Sequence, residues 1–543
     1  MRHCTIVGAL AFIAVAWCAP ASAQDSVPPA DQPPPAVAPA VVPTEAPSAF
    51  TLVLTEGKRL VAQGKFAEAA LIFNRVLSEG QESSQYFQEA QYEMGMALFS
   101  MQFYVSAFGY FDRVAEAGTS HIRYADTLLW LVRIHREIPG ETNTLFRMAS
   151  YQADSYPIDL AEEISFYVGQ YHYYEGNLDA ALESLGRVGA SRPELFVKAL
   201  YLKGVVLVRR SEPMPAADAF REVLRFAKAA GPFDGREKYR EMATLALARV
   251  FYSAGFDKTN FIPGNVETAI KFYDQIPETS NQWLDSLFEK SWAFYQIGNY
   301  SRALGNILTV NSPYFEEEYY PEASVLRAVI LFKNCRYDEA LATIDPFYKE
   351  YFEIHKELET VMGGHTDPSD FYQYLASLSK RGGAYSLKIK KIFNAALADA
   401  KLRRLFGFVI TISKEIQRLE SLRDNPVSRE MGNFLLSDLL AYRSLTMSEA
   451  GQLARERLSR VRRELKALLS QSLKVRFECL NAQKGMLEEQ VKKLQVSSAG
   501  PNAPKEGFNV DNEHIYWVWD GEYWKDELGS YHYPLQSACG TVK

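Results

Sequence analysis

A regular spacing of small residues is the strongest constraint on the fold of this chain. Two antiparallel helices approach closely only where both present small side chains. A glycine, serine or alanine is followed twelve positions later by an alanine in Gly57/Ala69, Gly95/Ala107, Gly169/Ala181, Gly204/Ala216, Ser291/Ala303 and Ala328/Ala340. In one further pair, Ala248/Ala269, an insertion of about nine residues lengthens the spacing. The spacing therefore predicts a series of antiparallel helix pairs.

Large apolar residues follow these alanines at a fixed distance. Four positions after each alanine stands Phe73, Phe111, Leu185, Phe220, Tyr273, Ile307 or Ile344. Such side chains fill the space around a close helix contact, and stacked neighbours bury them. The segment Gly64–Leu77 (G-K-F-A-E-A-A-L-I-F-N-R-V-L) and the segment Gly298–Leu304 (G-N-Y-S-R-A-L) resemble the tetratricopeptide repeat family. The resemblance implies an all-α solenoid that scaffolds other proteins.

About eight repeats fit between residues 49 and 350. The third unit, Tyr124–Gln152, departs from the pattern because Pro139 and Gly140 interrupt it. The insertion near residues 256–264 lengthens a loop inside one repeat. Because stacked repeats contact only their neighbours, we expect this loop to project without disturbing the stack.

The N-terminus has the features of a secretory signal. A short basic start, the apolar run Thr5–Trp17 and a small-residue cleavage site predict a signal peptide over residues 1–23. The run is shorter than the roughly 20 residues that span a bilayer. Bulky Trp17 before Cys18 argues against a lipoprotein. We therefore expect an exported, soluble periplasmic protein in which the Pro/Ala-rich residues 24–48 form a disordered tether.

Charge is unevenly distributed along the chain. The segment from Lys380 to Lys493 has 24 Lys and Arg against 12 Asp and Glu, whereas the remainder has 35 against 54. Export argues against nucleic acid as the partner of this basic block. Two interpretations stay open. The basic side chains either line solvated helix faces or contact anionic groups: cell-wall acids, a membrane surface or the chain's own acidic solenoid.

Long helices are expected after the repeats. A joint over residues 351–383 leads to the basic helices of residues 384–495, which break at Asn425 and Pro426. Apolar or small residues then alternate four and three positions apart, as in a coiled coil, at Ala454, Leu458, Val461, Leu465, Leu468, Val475, Cys479, Ala482 and Met486. The break favours an internal helical hairpin over self-association with another copy.

The C-terminus ends in an aromatic tail. A linker over residues 496–509 precedes the tail of residues 510–543, in which Asp520 and Gly521 separate aromatic runs and predict a β-hairpin-like turn. An isolated hairpin is marginal in water. The tail therefore either docks on the helices or binds a protein partner or a glycan.

No catalytic or cofactor motif is present in the sequence. The histidines are scattered without metal-ligand spacing, and no phosphate-binding loop or nucleophile elbow occurs. Three cysteines remain after the signal, Cys335, Cys479 and Cys539, too few for a disulfide framework, and a single bridge stays open. We expect no enzyme activity, no cofactor and no metal.

Aromatic side chains are the candidate binding residues. In the tetratricopeptide family the first helices of the repeats form a concave surface, which we call the inner wall. With each small residue at position eight of its repeat, the residues predicted to face this wall and bind a partner are Tyr92, Phe99, Phe166, Tyr173, Tyr201, Tyr252, Trp292 and Tyr295, with Phe288 and Phe332 beside them. Alternatively, several of these rings pack against the next repeat. Arg133 and Arg249 would lie on the same wall.

Two stretches have a narrower resemblance. Tyr320–Leu341 and the tail sequence D-G-E-Y-W-K-D-E-L-G are similar to exported repeat proteins of gliding and predatory proteobacteria, some from the adventurous gliding machinery. Three hypotheses follow. The first is a periplasmic scaffold for envelope proteins. The second is a peptidoglycan-binding protein that uses its tail and basic helices, and the third is an enzyme subunit whose site another chain completes.

Overall fold

The computed structural model describes residues 49–138, 143–257, 260–380, 387–422, 424–494 and 521–539. The expected signal peptide, tether, linker and first part of the aromatic tail lie outside these residues. The described residues form one compact unit. Within the described ranges, no helix combines the length and hydropathy of a membrane span.

Within these ranges, the first sixteen helices form eight successive helical hairpins. The pairs are α1 (Ala49–Ala62) with α2 (Phe66–Glu79), α3 (Gln85–Ser100) with α4 (Tyr104–Ala117), α5 (Tyr124–Glu137) with α6 (Thr144–Ala149), α7 (Ala161–Glu175) with α8 (Leu178–Gly186), α9 (Pro193–Arg209) with α10 (Pro213–Ala229), α11 (Arg236–Ala254) with α12 (Pro263–Tyr273), α13 (Trp283–Gln296) with α14 (Tyr300–Val310), and α15 (Pro321–Lys333) with α16 (Tyr337–Gly364). The insertion before α12 holds two short antiparallel strands, β1 (Phe256–Asp257) and β2 (Asn260–Phe261).

The small residues lie where the two helices of a pair touch. A Cβ atom added to Gly95 would lie 2.7 Å from the Phe111 ring, and one added to Gly204 would lie 2.5 Å from the Phe220 ring. The alanines of the pattern have no exposed surface: Ala69, Ala107, Ala181, Ala216, Ala269, Ala303 and Ala340. The predicted all-α, tetratricopeptide-type fold is confirmed.

Six of the hairpins turn through a residue with a left-handed backbone. This residue stands two positions before the second helix, with φ between +58° and +83°, at Gly64, Gln102, Gly176, Ser211, Gly298 and Cys335. Glycine adopts this conformation at low cost, whereas other residues are strained in it. Cys335 therefore occupies a turn position that glycine suits better.

Four more helices follow the eighth pair: α17 (Pro368–Lys380), α18 (Leu387–Leu397), α19 (Ala400–Ser421) and α20 (Pro426–Leu494). Two features differ from expectation. Helix α16 continues to Gly364, so most of the expected joint is helical. The single helix expected before residue 422 is divided near Asp399, because its carboxylate accepts a hydrogen bond from the Leu402 amide and begins α19 there.

Helix α20 has 69 residues and is therefore about 100 Å long. It folds back on α19, as the hairpin prediction required. Its C-terminal half packs instead on α16, through the contacts Arg462–Glu359, Arg476–Asp345 and Gln483–Asp338. Members of the predicted coiled-coil seam are buried: Ala454, Leu458, Leu465, Leu468, Val475 and Cys479. Most of the seam is thus covered by the chain itself.

Candidate protein-binding surface

The predicted binding residues lie on the first helices, and the described structure leaves none of them fully exposed. Tyr92, Phe166 and Tyr295 are buried. The other five are half-buried: Phe99, Tyr173, Tyr201, Tyr252 and Trp292. The rings therefore form several clusters between neighbouring pairs, and each ring offers at most part of its surface to a partner.

The first cluster surrounds Trp130 on α5. The Trp130 indole N–H donates a hydrogen bond of 2.9 Å to the Tyr92 hydroxyl, and the Phe99 ring meets the indole edge-on at 5.1 Å. The Trp130 ring also stacks on Phe111, with 5.5 Å between the ring centres. The exposed Arg133 guanidinium lies 4.6 Å from the centre of the Trp130 ring. Sequence reasoning missed Trp130 because the third unit has no small residue to set its register.

The second cluster lies on α7 and α9. The Arg209 guanidinium lies over the Tyr173 ring at 5.4 Å and donates a hydrogen bond of 2.8 Å to the Tyr173 carbonyl. Tyr201 packs on Phe220 and Tyr239. Burial raises the pKa of Tyr201 to about 12. Both tyrosines thus pack against neighbouring helices, and each is half-buried.

The third cluster lies on α11, α13 and α15. The Tyr252 ring meets Phe256 edge-on at 5.3 Å, and burial raises the pKa of Tyr252 well above its ordinary value. Trp292 and Tyr295 form a perpendicular pair 5.6 Å apart. The Lys333 ammonium lies 4.5 Å from the centre of the Tyr295 ring. Two further predicted rings contact tyrosines of the eighth pair: Phe288 with Tyr320 and Phe332 with Tyr337.

Several charges of the first helices are paired between neighbouring repeats. Lys58 and Arg123 both bind Glu89. Burial alone would raise the pKa of Glu89, but these hydrogen bonds hold it below its ordinary value. Arg249, a predicted wall cation, forms a bidentate pair with Glu289. Its charge is therefore neutralised within the solenoid, whereas Arg133 points its charge outward from an aromatic ring.

Part of the aromatic tail docks on the seventh and eighth pairs. The Tyr533 amide donates to the Ser301 carbonyl at 3.2 Å, and the Ala538 amide donates to the Asn334 carbonyl at 2.9 Å. A disulfide joins Cys335 to Cys539, and Cys479 is a buried free thiol. Residues 521–539 contain no strand. Three of their backbone amides, those of Gly529, Tyr533 and Ala538, bond to the solenoid. The first aromatic run of the predicted hairpin lies outside the described residues.

The first pairs are covered by α19 and α20. The Glu415 carboxylate of α19 accepts hydrogen bonds from the Val105 amide at 2.7 Å and from the Ser106 amide at 3.3 Å. These amides belong to the first turn of α4, where backbone N–H groups have no acceptor within the helix itself. Burial nevertheless raises the pKa of Glu415 to about 7. In the described ranges, Glu415 included, no three His, Cys, Asp or Glu side chains gather as metal ligands.

Comparison with known proteins gives one family. The tetratricopeptide repeat model matches residues 169–234. No curated protein matches the chain. Similar solved structures include a tetratricopeptide repeat protein from Parabacteroides merdae (12% identity, 55% of this chain and 91% of that chain, TM-score 0.23). The apo form of RapI is 14% identical, with 64% of this chain and 98% of that chain covered and a TM-score of 0.33. The P58(IPK) TPR domain is 12% identical, with 72% of this chain and 99% of that chain covered and a TM-score of 0.18.

Proposed function

The chain is a tetratricopeptide repeat protein, and from that premise we propose that it is an exported, non-enzymatic scaffold for proteins of the cell envelope. Tetratricopeptide repeat domains generally mediate protein–protein interactions. The observation that carries the proposal is the Trp130 cluster, where an exposed guanidinium lies on a half-buried aromatic ring. Aromatic and arginine side chains dominate the energetics of protein interfaces. The partner is an extended or helical segment with a carboxylate for Arg133.

Two observations support export. The N-terminal sequence has the pattern of a signal peptide. The Cys335–Cys539 bridge belongs to a class of bonds that persist in oxidising compartments and are rare in the cytosol. Both support the periplasmic location that we propose. Membership of a gliding or other envelope-spanning complex is part of the proposal and rests on the resemblance of two sequence stretches.

Affinity capture from envelope extracts tests the inner wall. Arg133→Glu reverses the exposed charge, and Trp292→Ala removes a ring from the third cluster. We expect each variant to recover at least tenfold less partner. The matched control is Ile158→Ala, because Ile158 is 94% exposed and lies on no first helix. Unchanged recovery with both wall variants, at an unchanged unfolding midpoint, would remove the wall from the proposal.

Peptidoglycan binding is the second candidate function, and one exposed aromatic residue of the docked tail favours it. Trp524 is 57% exposed although the residues after it are fixed to the solenoid. Aromatic faces stack on sugar rings. We expect Trp524→Ala to abolish sedimentation with purified sacculi if this function is correct. Sedimentation equal to that of the unaltered protein would exclude the tail as the glycan site.

Self-association is a further part of the proposal. Exposed apolar side chains follow the last turns of α20 at near-heptad spacing: Leu473, Phe477, Leu480 and Leu487. They lie apart from the buried seam, so a second copy of the same helix could pair with them. Leu480→Lys should then convert a dimer to a monomer in sedimentation velocity. A monomeric unaltered protein would exclude this pairing.

A further inference from the structure

The outer face of α14 is shaped to accept an extended chain. Ser301, Gly305 and Thr309 follow each other at four-residue spacing, so they share one side of the helix. A Cβ atom added to Gly305 would overlap the carbonyl group of Tyr531, so the tail backbone passes directly over this glycine. The missing side chain at position 305 therefore creates the track that the tail follows.

The tail makes residue-specific contacts along this track. The Gly529 amide donates a hydrogen bond of 2.9 Å to the Thr309 hydroxyl, and Gly529 itself has φ +86°. Four residues on, the Tyr533 hydroxyl donates to the Glu339 carboxylate at 2.9 Å. These contacts select a glycine followed four positions later by a tyrosine, as Gly529 and Tyr533 are in the tail sequence Gly-Ser-Tyr-His-Tyr. The Tyr531 hydroxyl bonds instead to Trp524 of the tail itself.

A covalent bond holds the tail beside this track. Cys335 has φ +58° in a turn where three of the equivalent residues are glycines, so cysteine is less favourable than glycine for the backbone at this position. Its partner Cys539 is exposed, and Cys335 is half-buried. A dissolved dithiol therefore has access to this disulfide.

We infer that the outer face of α14 is a second binding surface, for an extended Gly-x-x-x-Tyr segment of another protein, and that the Cys335–Cys539 bond keeps the chain's own tail in its place. A dithiol opens the bond by thiol–disulfide exchange. It donates two electrons and two protons, Cys335 and Cys539 become thiols, and the dithiol becomes a disulfide. This inference goes beyond the scaffold proposal, because the surface lies on α14, the second helix of its pair, whereas the inner wall was assigned to the first helices.

Hydrogen exchange of the full-length protein tests the role of the bond. The amides of Gly529, Tyr533 and Ala538 donate to the solenoid and should exchange slowly in the oxidised protein. After dithiothreitol treatment, we expect exchange at these amides to accelerate at least tenfold, with α1–α12 unchanged. The same acceleration is expected for Cys539→Ser without reductant. Equal exchange in the oxidised and reduced proteins would overturn the inference.

Peptide binding tests the surface itself. The host is the full-length Gly529→Val/Cys539→Ser variant, because a side chain at position 529 would strain the backbone and meet the Trp283 ring. The probe is a labelled peptide of residues 521–539 with serine at the last position. We expect binding to this host, at least tenfold weaker binding after adding Gly305→Ala, and no change after adding Gly407→Ala, a helical glycine with open space around it. Absence of binding to the host, or equal binding with Gly305→Ala, would overturn the inference.

Discussion

The C-terminal part of the chain covers the second helix pair and the outer face of α14 by different means, and α20 also packs on α16 of the eighth pair. Over the second pair, α19 contributes a buried apolar face: Phe408, Ile412, Ile416 and Leu419. Over the seventh and eighth pairs, Leu528 is the one buried apolar side chain among residues 521–539. The helix is therefore retained by apolar burial, whereas the tail relies on hydrogen bonds and one covalent bond.

The difference follows from how each kind of segment can be stabilised. A helix satisfies most of its own backbone hydrogen bonds and is free to devote one face to apolar contact. An extended tail must find partners for each backbone amide, and the net gain from each such bond is only about 1 kcal/mol. A cross-link replaces the apolar area that a short extended segment lacks.

The largest expected effect is that of removing the Cys335–Cys539 bond, which holds the tail on the solenoid. The Cys335–Cys539 bond joins residues 204 positions apart, so its loss should lower the free energy of unfolding by up to about 5 kcal/mol through restored chain entropy. Urea denaturation of Cys335→Ser measures this loss. Cys479→Ala is the matched control, because its buried thiol is outside the bridge, and should cost about 1 kcal/mol. Equal losses in the two variants would show that the tail is retained without the bond.

The next effect concerns Glu415, which joins α19 to α4, and it depends on pH. Burial raises the pKa of Glu415 from 4.5 to about 7, so the folded protein keeps a proton that the unfolded chain releases. Its contribution to stability is therefore complete below about pH 4.5 and is lost as pH rises to about 7, by about 3 kcal/mol. The difference between the unaltered protein and Glu415→Gln should show this slope in urea denaturation from pH 4.5 to 8.

A second carboxyl serves as the control for this slope. Burial, with a smaller effect of Glu464, raises the pKa of Glu322 to about 7 in the eighth pair. Glu322→Gln should remove its own slope and leave that of Glu415 intact. If Glu415→Gln has the pH dependence of the unaltered protein, the carboxyl does not hold α19 in the manner described.

A smaller effect is expected from substituting two glycines of the second pair, one that lies between its two helices and one with open space around it. Gly95→Ala places a methyl group against Phe111 and should cost about 1–3 kcal/mol. Gly109→Ala, in the other helix of the same pair, meets nothing within 4 Å and should stabilise the protein by about 0.5–1 kcal/mol through helix propensity. Thermal unfolding compares the two. A gain from both substitutions would contradict the close approach of α3 and α4.

The smallest effect is expected from a surface ion pair of the helical cover. Arg113 on α4 and Asp438 on α20 lie 3.2 Å apart but are 52% and 57% exposed. A double-mutant cycle should give a coupling below about 0.5 kcal/mol, because water screens both charges. The Arg147–Asp112 pair, 14% and 15% exposed, should couple several-fold more strongly. The opposite ranking would show that charge rather than apolar burial retains the helices.

The repeats were predictable because their information is local. Gly204 and Phe220 stand sixteen positions apart, and the turn between two helices brings them into contact. Trp130 was not predicted, although its neighbours Tyr92, Phe99 and Arg133 were, because its unit lacks the small residue from which the other aromatic positions were counted. The predicted wall rings all lie on first helices, but their division between core and surface depends on how neighbouring pairs stack.

The sequence by itself determined the helix pairs, since each pair is specified by small and large residues within about twenty positions of each other. Only the tertiary structure decided which surfaces the C-terminal part covers. Glu415 caps α4 from 310 residues away, and Cys335 meets a cysteine 204 residues away. Such contacts leave no periodic signal along the chain, because they depend on where the packed helices bring distant residues together.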